Sequence, residues 1–409
     1  MSVVEERDRT THSAPFDETP ADTPILWLAG SMGYNGDLMY FEPILSEFCR
    51  RFPNTRIAVD ENFPCSKYPR ISLWPVLTSR RQRVQVVPGN SYLDPHRPLP
   101  SLHTLREIWM GCATVVIVVE FAPLALAGIV LAKLRRKKIV LLVENDPSFR
   151  GASSDRLTTF VKYFASRLVD TVLTSNVRSR DFVVNRLGVA ATKVLVGAYL
   201  TSDPSRSGTT FPLRNAVAQV PERRSDKVNI LFLNSVTERK GLVYLVKAFS
   251  LLTTQTRARF FVHVAGDGDQ MEAVQTEVHA HSLEEQFHFY GRVPFAQIGS
   301  FYDIADVYIS PTLADYRSLG GFEALNCGLP ILLSKYDGAC DEVVTQGTNG
   351  WIFDPLDTAA LATLLQTVAD EPDTLGRFAK ASLARAKQFK VECVVKNLAM
   401  AVGAAMRSK

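Results

Sequence analysis

Twelve short apolar runs, rich in Val and Ile, alternate with longer stretches of helical period along the 409 residues, and the scheme is played through twice. Runs that are apolar on both faces need helices on both sides, so the pattern predicts parallel strands joined by crossover helices. In the first half the runs fall at residues 25–30, 55–60, 83–89, 114–119, 138–144, 170–175 and 193–199. In the second they fall at 229–235, 258–266, 287–293, 306–310 and 330–334. Each half therefore reads as a doubly wound, Rossmann-like α/β domain, and a chain of this length exceeds what one core organises. The expected division is a disordered polar tail at 1–22, a first domain at 23–203 and a Pro/Ser/Gly-containing linker at 204–226. A second domain follows at 227–385, and a helix at 386–409 crosses back to the first.

A hydrophobic fraction of 46% and a charged fraction of 22% exclude wholesale disorder, and a net charge of +4 gives no argument for nucleic acid. The basic residues Arg50, Arg51, Arg56, Lys67, Arg70, Arg80, Arg81 and Arg83 meet only Asp60 and Glu61 nearby, which suggests peripheral contact with an anionic membrane. Six scattered cysteines without a C-x-x-C pair suggest neither zinc nor a disulfide framework and fit a reducing cytoplasm. The amino terminus lacks the apolar core of an export signal. Residues 112–138 hold a long apolar stretch, but Glu120 and Pro123 interrupt it, and its β-branched first half and Ala/Leu-rich second half predict strand, turn and helix.

Candidate chemistry collects just after predicted strands, where loop amides and helix starts gather in open α/β sheets. "LNSVTERKG" places Arg239 and Lys240 there, two cations able to hold a diphosphate, followed by a helix with Leu242, Leu245, Val246, Phe249 and Leu252 on one face. "SPTLADYRSLGGFEALNCGLPILLS" places Asp315, Arg317 and Gly320-Gly321 after a strand, with Glu323 eight positions beyond Asp315. Asp267-Gly268-Asp269 matches a metal-diphosphate spacing, but Gly266 and Gly268 favour a tight strand-to-helix turn that needs no metal. "FYGRVP" offers the main chain of Arg292 and Val293 to a base edge. The loop with Gly30, Gly33 and Gly36 would bring amides near phosphate or sugar, and Glu144, Asn145 and Asp146 follow another strand. His279 and His281 lie on different faces of a helix and read as surface.

The order "SVTERKGLVYLVKAF", "VAGDGD", "FYGRV", "ADVYISPTLADYRSLGGFEALNCGLPILLS", "DEVVTQGTNGWIFDPLD" resembles the second domain of family 4 retaining glycosyltransferases of the GT-B fold, over about residues 229–370. The resemblance implies two Rossmann-like domains facing across a cleft, with the nucleoside diphosphate sugar in the second and a hydroxyl acceptor in the first. The acceptor-side candidates are then Gly33, Gly36, Asn145 and Asp146. The family's E-x7-E motif falls on Asp315 and Glu323, implying Glu323 on the ribose hydroxyls and Asp315 near the donor sugar. Amides of Ser318, Leu319, Gly320 and Gly321 would meet diphosphate or sugar, Arg292 and Val293 would meet the base, and Lys240 with Arg239 would stabilise the leaving diphosphate. No cofactor or metal is implied. Three departures stand out: Ser235 replaces the usual phosphate-binding arginine, the first acid is Asp, and Tyr316 and Arg317 stand where glycine and other residues of the E-G-F-G segment are usual. Two other classes remain open, a catalytically silent nucleotide-sugar-binding protein and a sugar-nucleotide epimerase of the same architecture.

Overall fold

The computed structural model describes residues 19–28, 38, 41–61, 63–87, 90–144, 156–203 and 221–408. Most of the expected tail, most of the expected linker, the glycine loop with Gly30, Gly33 and Gly36, and Asn145 and Asp146 lie outside these residues.

The first sheet contains β1 (Ile25–Leu28), β2 (Thr55–Asp60), β3 (Leu73–Val87), β4 (Asn90–Leu99), β5 (Val115–Val119), β6 (Lys138–Val143), β7 (Thr171–Thr174) and β8 (Val194–Val196). Their order is β4-β3-β2-β1-β5-β6-β7-β8, parallel throughout except for β4, which returns antiparallel to β3. The second sheet contains β9 (Val228–Leu233), β10 (Phe260–Ala265), β11 (Phe287–Gly291), β12 (Val307–Ser310), β13 (Ile331–Ser334) and β14 (Gly350–Phe353), ordered β11-β10-β9-β12-β13-β14. In both sheets the strand order reverses beside the first strand, between β1 and β5 and between β9 and β12. In doubly wound sheets such reversals are where ligands are expected, outside the carboxyl ends of the strands.

The period-2 alternation of each strand sorts its side chains into opposite cores. In β1, Ile25 and Trp27 face one cluster and Leu26 and Leu28 the other; in β5, Val115 and Ile117 oppose Val116 and Val118. The first of these clusters also holds residues of the second sheet, and it is joined by the helix Val391–Arg407. That helix buries Val394, Val395, Leu398, Val402 and Ala405, packs on β5, β6, β7 and the helix Phe41–Arg51, and donates Asn397 Nδ2 to Ala198 O at 2.9 Å. The crossing helix predicted from composition is therefore present.

The structure departs from the strand reading in two places. The single run expected at 83–89 is one arm of the β3–β4 hairpin, whose second arm carries Pro95 and Pro98. Proline breaks a sequence pattern for a strand, yet β4 is the sheet edge, where a missing N–H removes no ladder bond. The other is β14, four residues opening on a glycine, too short and too interrupted to stand out. The apolar stretch of 112–138 is β5, the helix Pro123–Leu134 and the start of β6, and no helix of the described residues is long and apolar enough to cross a membrane.

Truncating Leu398, 1% exposed at the centre of the crossing helix, leaves a cavity against the first sheet. Leu398→Ala is expected to cost about 2–5 kcal/mol, read as a lower denaturant midpoint with unchanged far-UV ellipticity. An unchanged midpoint would mean that the helix does not hold the sheet.

Candidate functional site

Lys240 and Asp315 follow β9 and β12, the two strands that flank the reversal point of the second sheet. A three-residue turn, Glu238–Lys240, leads into the helix Leu242–Ser250 through Gly241, whose φ of 69° is left-handed. A Cβ at Gly241 would lie 2.1 Å from Pro311 O, so only glycine lets the two loops close on each other. Leu313 N and Thr312 Oγ1 then donate to Arg239 O at 2.8 and 3.0 Å. The result is a compact charged group: Lys240 Nζ lies 2.5 Å from Asp315 Oδ2, and Arg239 Nη1 reaches the same oxygen at 3.2 Å and Ala314 O at 2.8 Å. Burial alone would raise the Asp315 pKa, but Lys240 and Arg239 outweigh it and hold the carboxyl below its ordinary value.

The loop after β13 braces this group from behind. Asp315 N donates to Tyr336 O at 3.2 Å and Gly338 N to Asp315 O at 3.0 Å; a Cβ at Gly338 would meet Tyr316 O at 1.8 Å. Asp337 Oδ1 accepts from Ser318 N at 3.2 Å and Ala339 N at 2.8 Å, while Oδ2 is buried without a hydrogen-bond partner. Burial first, and the Asp315 charge second, push the Asp337 pKa up to about 6. The amide of Ser318, expected to face a ligand, is thus engaged inside the loop.

Glu323 sits in the helix Gly320–Asn326 and is buried, with Tyr302 OH donating to Oε2 at 2.7 Å and Ser202 Oγ donating to Oε1 at 2.6 Å. Burial raises its pKa and those two hydroxyls partly offset the rise. The glycine pair before it serves close packing: a Cβ at Gly320 would lie 2.2 Å from Tyr308 OH, and one at Gly321 3.2 Å from a Val343 methyl. Asp337, Glu323 and Asp315 all surround the buried Tyr308, whose pKa is raised by burial and then by these three charges. Asp315 and Glu323, eight positions apart in the chain, therefore share one neighbourhood at the sheet edge. Leu319 is half-buried beside them at the start of the helix.

Arg317 turns away from this edge toward the first domain. Its guanidinium is fully buried: Nε and Nη2 donate to Glu342 at 2.9–3.1 Å, Nη1 donates to Leu200 O at 2.8 Å, Glu144 Oε1 lies at 3.5 Å, and the ring of Phe322 lies 4.0 Å below. Desolvation disfavours the charge, but Glu342 and Glu144 more than compensate and the pKa is raised. Asn176 adds bonds from the first domain to Gly338 O at 3.1 Å and Glu342 Oε1 at 3.0 Å. Arg317 is thus an interdomain fastening and does not stand in for the missing phosphate arginine; Arg239, with about a third of its side chain exposed, is the cation left at the edge beside Lys240.

Ser235 is exposed at the end of β9, and Arg292 is exposed and Val293 half-buried past the end of β11, where Gly291 adopts a φ of 66°. Asp267 and Asp269 form the expected turn: Cβ atoms at Gly266 and Gly268 would strike Asn234 O and Val236 O at 1.8 and 2.2 Å, so the turn wedges against the Lys240 loop. Among the described residues no group of three His, Cys, Asp or Glu side chains is arranged to hold a metal ion. His279 and His281 lie at the surface with Glu284 and Glu277. Reading the sequence missed Asp337, Glu342, Ser202 and Tyr302. Only Asp337 carried a signal, an Asp-Gly pair directly after a strand.

Residues 214–385 match the model for glycosyl transferases group 1. Over 229 residues, 56% of the chain, the sequence is 24% identical to the alpha-D-kanosaminyltransferase of Streptomyces kanamyceticus, and the match spans 58% of that relative. Anabaena HepE, solved in complex with UDP, superposes with a TM-score of 0.69 at 16% identity, covering 93% of this chain and all of that one. A glycosyltransferase from Rickettsia africae superposes with a TM-score of 0.68 at 14% identity, covering 95% of this chain. The fold is GT-B, two Rossmann-like domains.

Two predictions test the electrostatics. Arg317→Met strands the Glu342 carboxylate and is expected to cost about 3–5 kcal/mol, whereas Arg317→Met with Glu342→Met recovers most of the loss; urea midpoints decide, and equal losses would refute the pairing. For Asp337, the folded pKa of about 6 lies above the ordinary 3.8, so its proton stabilises the fold fully below pH ~4 and that stability is lost as pH rises through ~6. Asp337→Asn, relative to wild type, is expected to gain about 2 kcal/mol between pH 4 and pH 7 in the same measurement.

Proposed function

We propose that the protein transfers a sugar from a nucleoside diphosphate sugar to an acceptor hydroxyl, with retention of anomeric configuration and without a metal. The observation that carries this reading is the meeting of Arg239, Lys240 and ionised Asp315 at the reversal point of the second sheet. Lys240 spends one of its three N–H donors on Asp315, and its remaining donors, with Arg239, suit the oxygens of a diphosphate. As the bond from the anomeric carbon to the phosphate oxygen breaks, these cations stabilise the charge gathering there. The acceptor oxygen bonds to the anomeric carbon and its proton passes to the departing phosphate.

Asp315, kept ionised by two cations, is an acceptor for donor-sugar hydroxyls and not a proton donor. Glu323 would take the ribose hydroxyls, with Tyr302 holding its carboxylate in place. The exposed Arg292 and the main chain of Val293 would meet the base, and Leu319, Gly320 and Gly321 would approach the phosphates. Support comes from the match of residues 214–385 to the group 1 model and from the GT-B likeness to a protein solved with UDP. Six unpaired cysteines among the described residues favour a reducing compartment such as the cytoplasm.

Lys240→Ala is expected to lower kcat/KM for transfer on the order of 100-fold while the circular dichroism spectrum stays unchanged. A donor screen by thermal shift supplies the substrate. Undiminished turnover would remove Lys240 from the reaction, and a product formed from donor alone would point to epimerisation.

A further inference from the structure

The helices Leu102–Met110, Pro123–Leu134 and Arg156–Leu168 lie side by side on one face of the first sheet, their inner residues Ile108, Leu124, Ile129 and Ala165 sharing one core. Their outer surface is unusual. Of the fifteen large apolar side chains exposed among the described residues, eight stand on these three helices, including Leu102 at 87% and Met110 at 68% exposure. The Phe160 and Phe164 rings pair at 4.5 Å on the third helix, and Val130 and Leu134 protrude from the second. Monomeric surfaces seldom gather apolar side chains this way without a partner.

Charge identifies the partner. The three helices carry five Lys and Arg, with Arg135, Arg136 and Lys137 directly after the second, against the single acid Glu107; Asp170, past the third, lies 3.8 Å from Lys133. Glu107 is held by Arg56 at 2.8 Å. Arg135 ties two of the helices together, donating Nε to Trp109 O at 2.8 Å and lying 5.1 Å over the Trp109 ring, so aromatic and cationic groups are interleaved. We infer that this three-helix face is the surface by which the protein lies on an anionic lipid bilayer, its apolar side chains entering the headgroup boundary and its basic ones meeting phosphates. A second copy of the chain fits less well, because two such faces would bring like charges together. The arginines at 50 and 56, expected to serve this purpose, are instead paired with Glu47 and Glu107.

The test is co-sedimentation of the full chain with vesicles of phosphatidylcholine alone or mixed equally with phosphatidylglycerol, at about 0.15 M salt. Wild type is expected to pellet with the mixed vesicles only. Phe160→Ser with Phe164→Ser, and separately Arg135→Glu with Arg136→Glu, should each weaken partitioning about tenfold or more. Leu251→Ser with Leu356→Ser, exposed apolar positions on the second domain, should leave it unchanged. Absence of wild-type binding, or equal binding by the helix-face variants, overturns the inference. So does light scattering that shows a dimer dissolved by the Phe160/Phe164 change, which would assign the face to self-association.

Discussion

A guanidinium with no exposed surface organises the junction between the two halves of this protein. Burying Arg317 is expensive unless every polar atom around it is answered. Here the Glu342 fork, the Leu200 carbonyl and the face of Phe322 supply the answers. Because Leu200 belongs to the segment leaving the first sheet while Glu342 and Phe322 flank the loops of the second, one side chain sets the position of three elements. Asn176 repeats the connection a turn away through Gly338 and Glu342. The loop that starts at Asp315 is consequently held twice within three residues, by the cations at Asp315 and by the fastening at Arg317.

The same economy governs the acids. Three carboxylates raise the pKa of the buried Tyr308, and they differ in how their charge is met: Asp315 by two cations, Glu323 by two hydroxyls, Asp337 by two amides with one oxygen left over. Charge opposite charge holds Asp315 ionised, whereas neutral donors leave the other two raised.

Much of this was legible before any coordinates. Both sheets, the crossing helix, the strand-loop placement of Lys240 and Asp315 and the turn at Asp267–Asp269 all follow from periodicity and from where glycine stands. What stayed hidden was long-range pairing. Nothing near Arg317 announces that its partners are Glu342 and the Leu200 carbonyl, since a cation in a loop reads as solvated or ligand-binding until the opposite element is placed. Ser202 and Tyr302 were invisible for the same reason, each being an ordinary residue until Glu323 is brought against it. The β3–β4 hairpin escaped because its prolines are tolerated only at an edge, and edge status belongs to the assembled sheet.

The helix Val391–Arg407 follows all six strands of the second sheet in the chain, yet it covers β5, β6 and β7 of the first. A ribosome making this protein therefore releases the amino-terminal half with β5, β6 and β7 uncovered on one side. That side stays exposed until the remainder has been translated. Maturation of the two lobes is then not sequential but interlocked, the earlier one waiting on the later, and the nascent polypeptide has a long interval in which a holding chaperone has something to grip.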